Sequence, residues 1–480
     1  MGSIPGNILV PVAFASWPLV VITLFRKFDH RQAIAIGFVA GWMFLPVASL
    51  DMMFLHNTKT VVICLSILIG AYIFKREKMQ AFRFSAADIP MFFWCTSPFF
   101  SSMVNGDGLY DALSQTLTQT ERWGMPYYIA RVYFSDVESV KILAFTIFIG
   151  AVVYIPFCGF ELVMSPQLHR LTYGFHQSDF VQSLREGGGY RPMVYMDHGL
   201  MTSMWMVLGV LLGTWLFFSG MLPKKILFIP SRYLLLALGL TTIIMRSAGA
   251  ITLLLIAFLV LYASNRLKNT VLVIVLLLVP SLYILTRSTG YWDGRNLSGL
   301  VAEKFSVTRS ESLQFRFDNE TILVQKAMQG SFFGWGGFGR SRVYDDTGKD
   351  ISVTDGLWVI VLGVNGVYGL FWLVSAIQWP IVLFIYRVKP QSWNTGTWGI
   401  SAATAIFLGI YMIDNLLNAM INPVYMLFGG SLVSMCTNPE TAVSTSARTE
   451  NVQPEKELLM ITPGTRFISS PSGGLSRFIG

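Results

Sequence analysis

Charge is what this chain has least of. Only 13% of its 480 residues are Asp, Glu, Lys or Arg, against about 25% in a soluble domain. Hydrophobic residues make up 53%, and the mean hydropathy is +0.55. A chain of this length with so little charge cannot clothe two or three soluble cores. Cysteine is scarce too. Cys64, Cys95, Cys158 and Cys436 all lie in apolar runs, and none shows a Cys-x-x-Cys spacing. Neither a disulfide framework nor a thiolate metal site is suggested, and each cysteine reads as a small buried hydrophobe. The residues before the first apolar run lack the positive stretch of a cleavable signal peptide. Arg26 and Lys27 follow that run instead, which predicts an uncleaved first helix with its N-terminus outside.

What is present is a succession of apolar runs, each near the roughly 20 residues that cross a hydrocarbon core. They cover 8–25, 33–50, 60–74, 89–104, 142–160, 199–218, 226–245, 250–263, 271–285, 356–386, 398–413 and 420–435. A weaker segment, 109–134, carries Arg122 and Arg131. With it the spans number about thirteen. The run at 356–386 is long enough to tilt or to kink at Pro380. Under strict alternation the basic clusters at 26–31, 75–83, 224–232, 266–268 and 387–389 fall on one side, the cytoplasmic one. This placement accounts for the net charge of +8 without nucleic acid. The expected fold is an all-α polytopic membrane protein with about 12–13 transmembrane helices. Its membrane domain is 1–436, with external loops at 161–197 and 286–354. The tail, 437–480, is rich in Ser, Thr, Pro and Gly and reads as disordered and cytoplasmic.

Long polar loops in a compact domain are usually functional or disordered, and the aromatics in these two favour order. In the first, Gly187-Gly188-Gly189-Tyr190-Arg191-Pro192 leads to Asp197-His198 at the start of a span. Arg191 is a permanent cation suited to phosphate, and His198 is a base or a hydrogen-bond donor. The plain alternative is a headgroup anchor and a helix cap. Arg246 occupies a short turn between two spans, where an ionisable residue lines a cavity or snorkels to the interface. In the second loop, 310–329 predicts a helix capped by Ser310, with Leu313, Phe317, Leu323 and Ala327 on one face. Arg316 and Glu320 stand i,i+4 and are spaced to pair. The glycine-rich stretch Gly334-Trp335-Gly336-Gly337-Phe338-Gly339-Arg340-Ser341-Arg342 follows. Its backbone N–H groups and its two arginines suit a pyrophosphate, although it lacks the Gly-Lys-Ser/Thr ending of a P-loop. An aromatic turn at the membrane surface is the alternative.

Arginine clamps stabilise a phosphoryl leaving group, and a lipid pyrophosphate is the anionic substrate expected at that depth. The loops show no carboxylate cluster or His/Cys set with metal spacing, so a metal-independent reaction without a cofactor is expected. Asp414, Asn415 and Asn418 read as a loop between the last two spans.

These features resemble the O-antigen ligase and O-antigen polymerase superfamily of bacterial envelope proteins. The resemblance covers roughly 190–374. It rests on Arg191-Pro192 to His198, on the turn Arg246-Ser247-Ala248-Gly249-Ala250, on the large late loop and on Gly334-Trp335-Gly336-Gly337. In the turn the arginine precedes the serine, and the large loop has no histidine where the ligases use one. These departures tilt the reading toward a polymerase-like glycosyltransferase. The resemblance implies a GT-C-like helical fold in the bacterial inner membrane, with the large loop on the periplasmic face. It implies glycan transfer from undecaprenyl pyrophosphate to a sugar hydroxyl. Arg191, Arg246, Arg316, Arg340 and Arg342 would bind the pyrophosphate, with Arg191 and His198 catalytic. The expected partners are a lipid-linked oligosaccharide, membrane lipids and other polysaccharide assembly proteins. Two other readings stay open: a transporter or flippase of lipid-linked saccharides, and a non-catalytic scaffold of an envelope complex.

Overall fold

The computed structural model describes residues 6–52, 55–185, 188–304, 307–394 and 398–437. The expected tail, apart from Thr437, lies outside the described residues. The first third contains α1 (Leu9–Lys27), α2 (His30–Phe44), the hairpin β1 (Ser49–Met52) and β2 (Leu55–Thr58), α3 (Lys59–Gln80), α4 (Ile89–Val104), α5 (Leu109–Gln119) and α6 (Met125–Tyr133). The middle contains α7 (Val137–Met164), α8 (Leu168–Tyr173), α9 (Gly199–Phe218), the short hairpin β3 (Lys225–Ile226) and β4 (Ile229–Pro230), α10 (Ser231–Ile244), α11 (Ala248–Leu267) and α12 (Val271–Ser288). The last third contains α13 (Arg295–Lys304), α14 (Val307–Met328), α15 (Leu357–Arg387), α16 (Gly399–Leu417) and α17 (Pro423–Thr437).

The chain is an all-helical, multi-pass membrane protein. Among the described residues seven helices are long and apolar enough to cross a membrane: α1, α7, α9, α11, α12, α15 and α16. Helix α1 buries Val10, Phe14, Val21 and Phe25 on one stripe, and its Leu19 and Val20 face outward. Leu255 and Leu259 on α11 and Leu278, Leu282 and Leu285 on α12 do the same. An apolar exterior of this kind needs hydrocarbon around it. Helices α16 and α17, by contrast, are buried on nearly every side and form the centre.

A helix stands at each expected run, but several are shorter than expected. Helix α2 stops at Phe44 because Pro46 holds Leu45 extended, at φ −70° and ψ 149°. Its 15 residues reach about 22 Å, short of the roughly 30 Å core. Pro230 delays the start of α10 to Ser231. The weak fifth run is one continuous helical stretch, in which α5 passes through a π-helical turn at Thr120–Gly124 into α6. Its Arg131 is buried against Asp88, Nε to Oδ1 at 2.6 Å.

The long α15 breaks at Gly366, at φ 66° and ψ −166°, and not at Pro380. The break frees backbone carbonyls, and the glycine-rich stretch closes on them. Trp335 N–H donates to Gly363 O at 2.9 Å, and Gly336 N–H donates to Val364 O at 3.1 Å. A β-carbon at Gly334 would stand 2.4 Å from the Gly366 nitrogen, so both positions need glycine.

Helix ends that alternation assigns to one side do meet. Arg31 in the first turn of α2 pairs with Asp136 before α7 at 2.7 Å. Gln391 after α15 donates to Lys268 O after α11 at 3.4 Å. At the opposite end, the starts of α9 and α11, the end of α16 and the segment before α15 surround one cavity.

Candidate functional site

That cavity has a volume of about 950 Å³ and is rich in arginine: Arg185, Arg191, Arg246, Arg309 and Arg316 line it, with Asp355 and Asp414 as its carboxylates. Four of the residues picked from the sequence, Arg191, His198, Arg246 and Arg316, converge there from three separate parts of the chain.

Arg191 is positioned by a buried carboxylate. Glu161, in the last turn of α7, accepts from Met193 N–H at 2.8 Å, Val194 N–H at 2.7 Å and Leu168 N–H at 3.0 Å. These bonds fix the backbone after Pro192, where Val194 takes a left-handed φ of 55°. Arg191 N–H donates to Ser183 O at 2.7 Å, which closes the loop from its other side. The arginine stem then crosses the start of α9 over Gly199. Among the described residues Arg191 makes no ion pair, and its Nε is buried without a partner. Burial, together with Arg185 and Arg316, lowers its pKa to about 9, so it stays cationic at neutral pH. Holding a cation this way costs stability. Perturbed, unneutralised groups of this kind in a cleft mark a functional site.

Arg246 takes a φ of 53° at the turn between α10 and α11 and donates to Gly188 O at 3.3 Å. The turn is a helix start: Ser247 is the N-cap of α11 and makes no side-chain cap bond. Ala248, Gly249 and Ala250 therefore bring first-turn N–H groups to the cavity wall. A β-carbon on Gly249 would meet nothing within 4 Å. A helix N-terminus beside several guanidinium groups has the chemistry to receive an anion.

His198 is the N-cap of α9. Its Nδ1 accepts from Leu200 N–H at 3.1 Å, and its Nε2 lies 2.8 Å from Gln182 Oε1. The first bond leaves Nδ1 without a proton, so Nε2 carries it and donates to Gln182. Burial first, then Arg191, Arg185 and Arg316, hold His198 down to about 4. It is a neutral donor whose only lone pair is already engaged, and this geometry does not suit a base.

Arg316 does not pair with Glu320. Its Nε lies 3.5 Å from Asp355 Oδ2, and its Nη1 donates to Leu417 O at 3.1 Å. Glu320 instead takes Arg287 at 3.0 Å, Tyr283 Oη at 2.8 Å and Trp358 Nε1 at 3.3 Å. This buried cluster ties α14 to α12 and α15. The helix that carries Arg316 begins at Val307, so Ser310 lies inside it and donates to Ser298 O at 2.7 Å. Of the predicted face, Phe317, Leu323 and Ala327 are buried, while Leu313 is half-buried.

Arg340 and Arg342 lie elsewhere. Arg340 pairs with Asp107 after α4. Arg342 pairs with Asp350 and donates to Thr354 Oγ1 at 3.0 Å. The glycine-rich stretch cannot offer the N–H groups of Trp335 and Gly336 to a pyrophosphate, because α15 uses them.

Asp414 and Asn415 are not a loop. They sit in the last turns of α16, with Asn418 as its C-cap. Asp414 is 8% exposed. Its Oδ1 accepts from Asn418 at 3.0 Å, and its Oδ2 has no partner among the described residues. The sequence reading missed Glu161, Gly199, Arg185 and the cavity role of Asp414. A carboxylate inside an apolar run was the available signal for Glu161. Among the described residues no group of three or more His, Cys, Asp or Glu is placed to hold a metal ion. No protein-family model matches the chain, and no curated protein matches its sequence.

Proposed function

We propose that the arginine cavity binds the pyrophosphate of a lipid-linked glycan, and that the protein transfers the glycan to a sugar hydroxyl. It would act as an envelope polysaccharide polymerase or ligase with a GT-C-like fold, with the cavity and the 289–356 segment on the external face of a bacterial inner membrane. One observation carries the reading: Arg191, Arg246 and Arg316 meet the uncapped start of α11 around one cavity at a helix-end layer.

In the proposed reaction an acceptor hydroxyl attacks the anomeric carbon while the bond from that carbon to the pyrophosphate oxygen breaks. The electron pair leaves with the pyrophosphate, whose added charge falls on Arg191, Arg246, Arg316 and the α11 N–H groups. The hydroxyl proton passes to a carboxylate, and Asp414 lines the cavity with an Oδ2 that is buried and without a partner among the described residues. Attack opposite the leaving group inverts the anomeric centre.

The test is transfer by the purified protein in lipid, supplied with undecaprenyl-linked oligosaccharide, with products resolved by size. A ladder that disappears in Arg191→Ala supports a polymerase, and a single transfer to an added acceptor supports a ligase. The break of α15 at Gly366 favours a second reading, because discontinuous helices occur in transporters. Movement of the donor between leaflets without any product would decide for it.

A further inference from the structure

Two more cavities lie on the other side of the α9 start. The first, of about 400 Å³, is lined by Trp42, Lys59, Arg122, Asp197, Met201 and the Ala419–Pro423 segment. The second, of about 210 Å³, is lined by Trp94, Ser102, Gln119, Arg122, Trp123 and Asn365 among others. Arg122 and Ile421 belong to both, so the two cavities adjoin. Sequence neighbours join them to the arginine cavity. Asp197 lines the first cavity and His198 the arginine cavity; Ala419 lines the first and Asn418 the arginine cavity. The two spaces therefore share walls made of the α9 start and the α16 end.

The chemistry of these walls is specific. Among the described residues Trp42 Nε1, Trp94 Nε1, Gln119 Nε2 and Asn365 Nδ2 are buried donors without a partner. Trp94 is 2% exposed and Asn365 6%. Native structures leave few such groups, and each calls for an acceptor. Lys59 brings no free charge, because it lies 3.3 Å from Asp197 and 4.0 Å from the centre of the Trp42 ring. Arg122 is the remaining cation of the two linings. Asn365 precedes the break in α15, and its Cβ stands 2.2 Å from where a β-carbon on Gly369 would be. Only glycine at 369 leaves room for the Asn365 side chain, which lines the second cavity. Indole faces beside amide donors and a single guanidinium suit a molecule with apolar C–H faces and many hydroxyl acceptors.

We infer that these adjoining cavities bind a saccharide, neutral or singly acidic, which enters the arginine cavity's shared wall as the glycan acceptor. The acceptor role rests on the transfer reading; saccharide binding does not.

The experiment uses the full-length protein in lipid nanodiscs free of sugar-headed detergent. Labelled neutral and uronate-bearing oligosaccharides are titrated against it, and inorganic pyrophosphate is titrated in parallel. At least one oligosaccharide is expected to bind. Asn365→Leu combined with Gln119→Leu should weaken it at least tenfold while leaving pyrophosphate binding unchanged, which also shows that the variant is folded. Arg191→Ala should do the reverse. No oligosaccharide binding by the wild type would mean that the cavities hold water, and would overturn the inference. Saccharide binding that survives the double variant but fails in Arg191→Ala would overturn it as well. Pyrophosphate binding that ignores Arg191→Ala would sink the transfer reading alone.

Discussion

Arg191 lies across the backbone of Gly199: a β-carbon at position 199 would stand 2.5 Å from both Cγ and Cδ of the arginine. The glycine is the floor over which an unneutralised guanidinium reaches the cavity. Gly199→Ala should push the arginine stem aside and press on Pro192 O, 3.1 Å from the added β-carbon, so a small loss of stability accompanies the displacement. The larger cost falls on the ligand. A displaced guanidinium loses hydrogen bonds to an anion worth about 1.5–3 kcal/mol, or roughly tenfold to a hundredfold in affinity. Pyrophosphate titration beside thermal unfolding checks this; equal losses in both would contradict it.

Glu161 acts on the same arginine from behind. Glu161→Gln keeps the shape and turns one of three acceptor contacts into a clash of donors. Each hydrogen bond to a buried charged group is worth about 1.5–3 kcal/mol, so the variant should unfold several degrees lower and bind pyrophosphate more weakly. Unchanged unfolding with lost binding would instead place Glu161 in contact with the ligand.

Arg340 and Arg342 are the contrasting pair. Both are engaged by carboxylates away from the cavity. Arg340 is exposed against a buried Asp107, and Arg342 and Asp350 are both partly buried, so losing either pair costs stability and no contact in the cavity. Arg340→Ala and Arg342→Ala should therefore leave kcat/KM for transfer within about threefold, where Arg191→Ala and Arg316→Ala abolish most of it. Loss of kcat in either variant would restore the glycine-rich stretch to the site.

Acid should destabilise the protein through its histidines. Burial holds His169 and His198 down to about 4, against about 6.5 in an unfolded chain. Between those values the unfolded chain binds more protons than the folded one. Stability therefore rises with pH across that window and levels off above about 6.5. His198→Asn keeps an N-cap acceptor and removes one titrating group, so the slope of unfolding temperature against pH should flatten. An unchanged slope would remove His198 from the account. Transfer activity in the same variant should keep its pH profile near neutrality, since His198 has no free lone pair to act as a base.

Much of the fold was legible along the chain. Apolar runs of membrane length mark helices whatever their tertiary setting, and α9 has the boundaries that its run predicts. The parity of the basic clusters indicated which helix ends share a layer. Lengths were less legible. Pro46 and Pro230 shorten two apolar runs, and hydropathy alone is blind to that. The run of α15 predicts a tilt or a kink at Pro380, yet the helix continues through that proline, which a membrane helix tolerates where neighbouring groups satisfy the freed carbonyl. Gly366 breaks it because a segment 30 residues earlier packs into the gap.

The sequence by itself determined that this chain lives in a membrane, where its helices fall, and that Arg191, His198, Arg246 and Arg316 belong to segments of the same parity. These follow from local composition and period, which no later contact can alter. Tertiary structure alone decided which arginines are neutralised. Arg316 and Glu320 are four residues apart on one helix and choose different partners, because Arg287 and Asp355 arrive from other elements. It also set Gln182 against the other nitrogen of His198 and brought the start of α11 to the arginines. Each of these depends on groups distant in sequence, and charge can be balanced only by what is near in space.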